Sequence, residues 1–158
     1  MIAIKKILLP ADASECSKKA LAYALSFAKQ YKARLVGLHV IDQRWEEQAR
    51  DAFAAIGQDA IQTVRQGYEE EARRILQEVA DVAAQARIAV ETRSVTGLPF
   101  EEIVRVGREL PADIIIMGTH GRTGVSHALL GSVAENVVRN SPCPVLVVRL
   151  EEGEVVAP

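Results

Sequence analysis

The chain has 158 residues, of which 49% are apolar and 25% are charged, and its formal net charge is −2. A charge this close to zero, without a long basic run, argues against nucleic-acid binding by phosphate neutralisation. The longest apolar runs are too short to span a bilayer, and the N-terminus lacks the layout of a signal peptide, so we expect a cytoplasmic protein without membrane partners.

Five short apolar runs predict five β-strands. Four of them lack a polar–apolar alternation, which is typical of strands that are covered on both faces. The predicted strands are residues 7–9, 35–41, 88–95, 114–117 and 145–148.

Stripes of apolar residues at helical spacing lie between these runs, and Pro99 suits the first turn of one such helix. The longest stripe is Ile61, Val64, Tyr68, Ala72, Ile75, Val79 and Val82. Strands that alternate with helices predict an open parallel sheet with helices on both faces. We assign residues 1–150 to this single domain and expect residues 151–158 to form a flexible tail.

Residues 43–58 form an additional helical segment after the second strand, and it contains Trp45 and Phe53. Gly57 is expected to separate this segment from the long helix that follows. The segment is either a surface helix that covers the core, or a lid or partner-binding element over a site.

A glycine-rich stretch after the fourth strand predicts a phosphate site. It contains Gly118, Gly121 and Gly124, and Gly131-Ser132 then opens the next helix. Glycines with positive φ let backbone N–H groups approach an anion, and a helix N-terminus adds partial positive charge. Ser132 and Glu135 have the spacing of a capping box. The alternative is that these glycines only form turns and Ser132 only caps its helix.

Ligands of open parallel sheets bind at the carboxyl ends of the strands. Asp12 follows the first strand and can contact an adenine amino group, a ribose or, through water, Mg²⁺; alternatively it caps the first helix together with Ser14. Val40 and Met117 end two other strands and form either the wall of a base pocket or part of the core. His39 is expected to be a hydrogen-bonded histidine of the crevice and not a base.

Two further side chains lie in the glycine-rich stretch. His120 can donate to a phosphate or ribose, and Arg122 has the geometry of a phosphate clamp, although both also fit exposed loop positions. The P-loop, dinucleotide and HExxH motifs are absent from the sequence. Cys16 and Cys143 do not have the spacing of metal ligands and are expected to stay reduced.

Three segments together resemble the ATP-binding type of universal stress protein. They are the opening strand and loop (residues 7–15), the end of the third strand (95–99), and the pattern Gly118-x2-Gly121-x9-Gly131-Ser132 followed by residues 143–148. The resemblance covers essentially residues 3–149, and its last pattern is long enough to be specific.

This resemblance implies a five-stranded parallel sheet in the order 3-2-1-4-5, an adenine-nucleotide alpha-hydrolase-like relative of the Rossmann fold. It also implies ATP, alone or with Mg²⁺, as ligand and a homodimer formed through Val145–Val148. By position, the adenine and ribose pocket would consist of Pro10, Ala11, Asp12, Val40 and Met117. The ribose and phosphates would be held by Gly118, His120, Gly121, Arg122, Gly131, Ser132 and Val133.

The function implied is that of an ATP-binding regulatory or stress-response module, with at most slow hydrolysis. Two alternatives stay open. One is an enzyme, either a slow ATPase or one that binds AMP; the other is a nucleotide-independent interaction protein that docks its partner through residues 43–58. Nothing in the glycine-rich stretch indicates how many phosphates the ligand carries, so AMP or a cyclic nucleotide can also be the ligand.

Overall fold

The computed structural model describes residues 1–53, 57–120 and 130–150. The predictions for Gly121, Arg122, Gly124 and the tail at 151–158 lie outside these residues. Strands and helices alternate along the described chain as β1 (Lys6–Pro10), α1 (Glu15–Tyr31), β2 (Arg34–Asp42), α2 (Arg44–Phe53), α3 (Gln58–Gln85), β3 (Val90–Gly97), α4 (Pro99–Glu109), β4 (Ile114–Gly118), α5 (Ser132–Asn140) and β5 (Val145–Val148).

The five strands form one parallel sheet in the order β3-β2-β1-β4-β5, which confirms the predicted topology. The chain reverses its direction of travel across the sheet between β1 and β4. In such sheets the helices on either side of the reversal leave a crevice at the carboxyl ends of the strands.

Each face of the sheet carries its own apolar core, because successive strand residues point to opposite faces. Ile7 and Leu9 pack with residues of α1 and α3, whereas Leu8 packs with residues of α4 and α5. All three side chains are fully buried. The helices therefore cover both faces, as the unalternating strands predict.

The third strand is shifted by two residues from its predicted position. Arg87 has a φ of 58°, and the N–H of Ile88 donates to the carbonyl of Ala83 at 2.9 Å, so Ile88 belongs to the end of α3. The strand begins at Val90 instead and continues to Gly97, which pairs with Asp42 of β2.

The additional segment contains α2, and Gly57, with a φ of 92°, is the N-cap of α3, so it lies at the boundary where a helix break was expected. Trp45 and Ala49 of α2 are buried with Ile41 and Ala72 in a small cluster of their own. The segment thus covers apolar surface, in agreement with one of its two interpretations. In the described chain, no helix is long and apolar enough to cross a membrane.

Candidate functional site

A cleft of about 1050 Å³ opens at the carboxyl edge of the sheet, beside the reversal between β1 and β4. The ends of β1, β2 and β4, the N-terminus of α5 and part of α3 line it. Its lining includes every predicted site residue that the structure describes: Pro10, Ala11, Asp12, Val40, Met117, Gly118, His120, Gly131, Ser132 and Val133. The structure thus brings these residues to one cleft; that they bind a ligand stays a prediction.

Asp12 takes part in the cap of α1 and still lines the cleft. Its Oδ1 accepts from the N–H of Ser14 at 2.8 Å, and the Ser14 hydroxyl accepts from the N–H of Ser17 at 3.1 Å. The Ser14 hydroxyl also donates to the carbonyl of His120 at 3.4 Å, across the crevice. Oδ2 of Asp12 has no hydrogen-bond partner among the described residues, so both predicted roles of Asp12 fit its position.

His39 is the hydrogen-bonded crevice histidine that its place in β2 predicts. Its Nδ1 lies 2.7 Å from the carbonyl oxygen of Ala11. A carbonyl can only accept, so Nδ1 carries a proton and donates to Ala11. The ring thereby fixes the backbone of Ala11 at the floor of the cleft.

Gly118 is a glycine for a reason that the sequence does not reveal. A Cβ at this position would lie 2.7 Å from Cβ and 2.9 Å from the carbonyl carbon of Cys16, at the start of α1. Its φ is not positive, since the glycine with positive φ in the described chain is Gly57. The missing side chain therefore lets the end of β4 approach α1 closely.

Gly131 likewise serves a close approach, and the predicted capping box is wrong. Its N–H donates to the carbonyl of Thr119 at 2.8 Å, and a Cβ would lie 2.8 Å from that same oxygen. Gly131 is the N-cap of α5 in an extended conformation, which makes Ser132 the first helical residue. Glu135 is then too far along the helix to close a box, and it pairs with Arg139 at 2.9 Å.

The start of α5 presents N–H groups to the cleft. The first intrahelical bond runs from Glu135 to the carbonyl of Gly131 at 2.9 Å. The N–H groups of Ser132, Val133 and Ala134 precede it and so have no acceptor within the helix. No side chain caps them in the described chain. Such a helix start attracts anions through its free donors and its dipole.

His120 is held by a hydroxyl and keeps one ring nitrogen unused. Its Nδ1 lies 3.1 Å from Oγ1 of Thr119, and that oxygen lies 3.8 Å from Sγ of Cys16. Nε2 is buried and has no hydrogen-bond partner among the described residues. Because buried polar atoms are nearly always paired, this nitrogen indicates a partner outside the described chain.

A second group of lining residues lies outside the predicted set of site residues. They come from the end of β2, the start of α2 and the middle of α3: Asp42, Arg44, Val64, Gly67, Tyr68 and Glu71. Arg44 makes a forked contact with Asp42, with Nε 2.9 Å from either carboxylate oxygen, and this contact lowers the pKa of Asp42. The sequence feature that could have indicated these lining residues is Tyr68, because its polar hydroxyl is unusual in an apolar stripe; the residue is 38% exposed.

These features define a doubly wound α/β protein with an open cleft at the point where the strand order reverses. The cleft combines an apolar floor, a carboxylate at the end of the first strand and a free helix N-terminus. In the described chain, no group of three or more His, Cys, Asp or Glu side chains is placed to hold a metal ion.

Comparison with known proteins gives the family. The model of the universal stress protein family matches residues 3–149, and the chain belongs to that family. Universal stress protein MJ0531 of Methanocaldococcus jannaschii is 34% identical over 151 residues, which cover 95% of this chain and 85% of the relative. Universal stress protein MJ0577 of the same organism is 37% identical over 154 residues, 92% of this chain and 94% of the relative.

Solved structures agree with the fold. The structure of MJ0577 superposes with a TM-score of 0.83 at 34% identity, over 96% of this chain and all of that one. A universal stress protein crystallised in complex with cAMP superposes with a TM-score of 0.68 at 27% identity, over 94% of this chain and 99% of that one.

Proposed function

We propose that this chain binds adenine nucleotides, ATP among them, in the cleft at the carboxyl edge, and that it acts as a nucleotide-dependent regulatory module of the stress response. The observation that carries the proposal is the meeting, in one cleft, of Asp12 and the free N–H groups of α5. The complex of a related family member with cAMP supports an adenine nucleotide as the ligand class.

The two ends of the cleft differ in chemistry, and the difference orients the nucleotide. Val40 and Met117 offer apolar contact to a base, and Asp12 beside them offers a carboxylate oxygen to an amino group or ribose hydroxyl. The start of α5 offers amides and partial positive charge, which suit phosphate. We therefore place the base against β1 and β2 and the phosphates at Ser132 and Val133.

His120 can contact the part of the nucleotide between the base end and the phosphate end of the cleft. If the Cys16 thiol donates to Thr119 Oγ1 and that hydroxyl donates to His120 Nδ1, the ring carries its proton on Nε2. Nε2 can then donate to a ribose hydroxyl or to a phosphate oxygen. Mg²⁺ would arrive with the phosphates, and Asp12 can reach it through water.

The experiment removes one backbone N–H without changing the fold. Proline is well tolerated at the first position of a helix, and the residue before it should be extended, as Gly131 is with a ψ of 159°. Ser132→Pro deletes the N–H and the hydroxyl, whereas the control Ser132→Ala deletes the hydroxyl alone. We expect Ser132→Pro to bind ATP at least about tenfold more weakly than Ser132→Ala, since hydrogen bonds to charged groups contribute about 1.5–3 kcal/mol.

Isothermal titration calorimetry with ATP, AMP and cAMP, each with and without Mg²⁺, measures the effect and ranks the ligands. Equal affinity of the two Ser132 variants would show that the N–H of Ser132 does not bind phosphate. If the unmodified chain binds none of the three nucleotides at roughly 1 mM, the proposed function is wrong.

A further inference from the structure

The first half of α3 extends beyond the sheet and forms a side wall of the cleft. Val79 packs on Gly37 in the middle of β2, and Ala72 lies in the cluster with Ile41 near its end. The residues of α3 from Gln58 to Ala72 continue past that point for roughly 20 Å, at 1.5 Å per residue. This overhanging part of α3 contributes Val64, Gly67, Tyr68 and Glu71 to the lining.

Tyr68 is held in place from behind. Its ring stacks on that of Trp45, with 5.0 Å between ring centroids and 25° between ring planes, and Trp45 is buried. Trp45 in turn packs with Ile41, which lines the cleft next to Val40. A rigid aromatic ring that is 38% exposed therefore borders the base end of the cleft.

The neighbouring Gly67 leaves space beside this ring. A Cβ at Gly67 would meet no atom of the described chain within 4 Å, so packing among those residues does not require a glycine there. Glycine within a helix costs about 0.5–1 kcal/mol relative to alanine. Both Gly67 and Tyr68 line the cleft, so the space beside the ring is open to a ligand.

The charges of this wall suit a base better than a phosphate. Asp42 and Glu71 are acidic, and the guanidinium of Arg44 is engaged by Asp42. A wall whose arginine is already engaged by a carboxylate offers little to a phosphate, whereas the face of a nucleobase stacks on tyrosine regardless of its hydrogen-bonding pattern.

We propose that Tyr68, backed by Trp45, is a nucleotide-binding residue that stacks on the base, so that α2 and the first half of α3 complete the base pocket. This inference rests on the proposed function, because it places the base of the same nucleotide. It assigns α2 and the overhanging part of α3 to ligand recognition and not to the docking of a separate partner.

Trp45 is the sole tryptophan of the chain and reports on its neighbour. ATP should change Trp45 fluorescence along the same binding curve that calorimetry gives. Inorganic triphosphate, which has no base, should leave the fluorescence unchanged. Tyr68→Ala should lose about tenfold in ATP affinity, in the range of a lost base–aromatic stack, and keep its affinity for triphosphate.

Three variants separate stacking from folding. Tyr68→Phe keeps the ring and should bind ATP as the unmodified chain does, while Tyr68→Leu keeps apolar bulk on Trp45 and should bind more weakly than Tyr68→Phe. Tyr31→Ala is the matched control, because Tyr31 is 39% exposed, lies on a helix beside Phe27 and is not part of the cleft lining.

The outcomes distinguish the two proposals. If the unmodified chain and Tyr68→Ala bind ATP equally, or if ATP binds without any change in Trp45 fluorescence, the stacking role is wrong and nucleotide binding stands. If the unmodified chain binds none of ATP, AMP and cAMP in calorimetry, the proposed function is wrong and the stacking role of Tyr68 is wrong with it.

Discussion

Two glycines of this chain differ in the space that a side chain would have at their positions. Gly118 lies against the backbone of Cys16, where a side chain has no room, whereas a side chain at Gly67 would extend into open space. Both glycines line the cleft. Only their contacts show that one is required by packing and the other is not.

This contrast gives a paired prediction. Gly118→Ala should lower the free energy of unfolding by about 2 kcal/mol, because overpacking against backbone typically costs 1–3 kcal/mol. Gly67→Ala should raise it by about 0.5–1 kcal/mol through helix propensity. Urea denaturation of the two variants measures both values. A Gly118→Ala protein as stable as the unmodified chain would contradict the close contact.

For single residues, the sequence predicted where a side chain lies better than it predicted why that residue is needed there. The positions of Asp12 and His39 could be predicted because Asp12 comes after the first apolar run and His39 lies within the second. The role of Gly118 could not, because its partner Cys16 is distant in sequence and meets it only when α1 packs beside β4. Ser132 was assigned to the wrong cap position because Gly131, which has no side chain to signal a cap, begins the helix.

Among the elements, β1 and β4 are joined at their beginnings by one carboxylate. Oδ2 of Asp113 accepts from the N–H groups of Lys5 at 2.7 Å and Lys6 at 2.8 Å, and the N–H of Asp113 donates to the carbonyl of Lys6 at 2.9 Å. These backbone hydrogen bonds hold the pKa of Asp113 below its ordinary value of 3.8. The two central strands of the reversal are thereby fixed at the end opposite the cleft.

Asp113→Ala should lower the free energy of unfolding by about 1 kcal/mol near neutral pH, the usual contribution of a partly exposed hydrogen-bonded group. A carboxyl whose pKa is lowered by folding stabilises fully above its unfolded pKa, and this stabilisation is lost as pH falls through the folded value. The difference between variant and unmodified chain should therefore shrink in acid.

Denaturation curves at neutral pH and well below pH 3.8 test this, that value being the ordinary pKa of the carboxyl. Asp81→Ala is the control, since Asp81 is exposed on α3 and accepts from the side chain of Gln77. A loss of stability that is the same at both pH values would assign the effect of Asp113 to packing instead.

The order of elements was the most predictable feature, because uninterrupted apolar runs such as that of β4 (Ile114–Gly118) alternate with helical stripes such as that of α3. The position of β3 was not. The strand has a mixed pattern of burial at the sheet edge, and Ile88 is apolar although it belongs to the end of α3. The wall formed by α3 was also missed, since the stripe does not show where the helix leaves the sheet.

At the scale of the whole molecule, the two edges of the sheet differ in chemistry. The β3 edge carries Glu91 and Arg93, which pair with each other, and charged side chains protect an edge against association. The β5 edge is the apolar run Val145–Val148. We therefore propose that a homodimer forms through β5, as its resemblance to the family implies.

A proline tests this arrangement. Ile115 donates to the carbonyl of Pro144 and Thr119 to that of Val148, so in this parallel ladder the N–H of Val147 points away from β4. Val147→Pro should remove a donor at the free edge and shift the protein to monomer, whereas Val147→Ala keeps the donor and should stay dimeric. Sedimentation velocity reads the state directly, and an unmodified chain that sediments as a monomer would refute the dimer.

The bond between Gly131 and Thr119 has a further consequence for engineering. It joins the two stems of the segment between β4 and α5 at their base, so the ends of that segment are fixed by the scaffold and not by its own sequence. Changes of loop length cost little once the ends are held together. We expect that corresponding segments from other family members can be transplanted between these two anchor points and that the chimaeras keep the common frame.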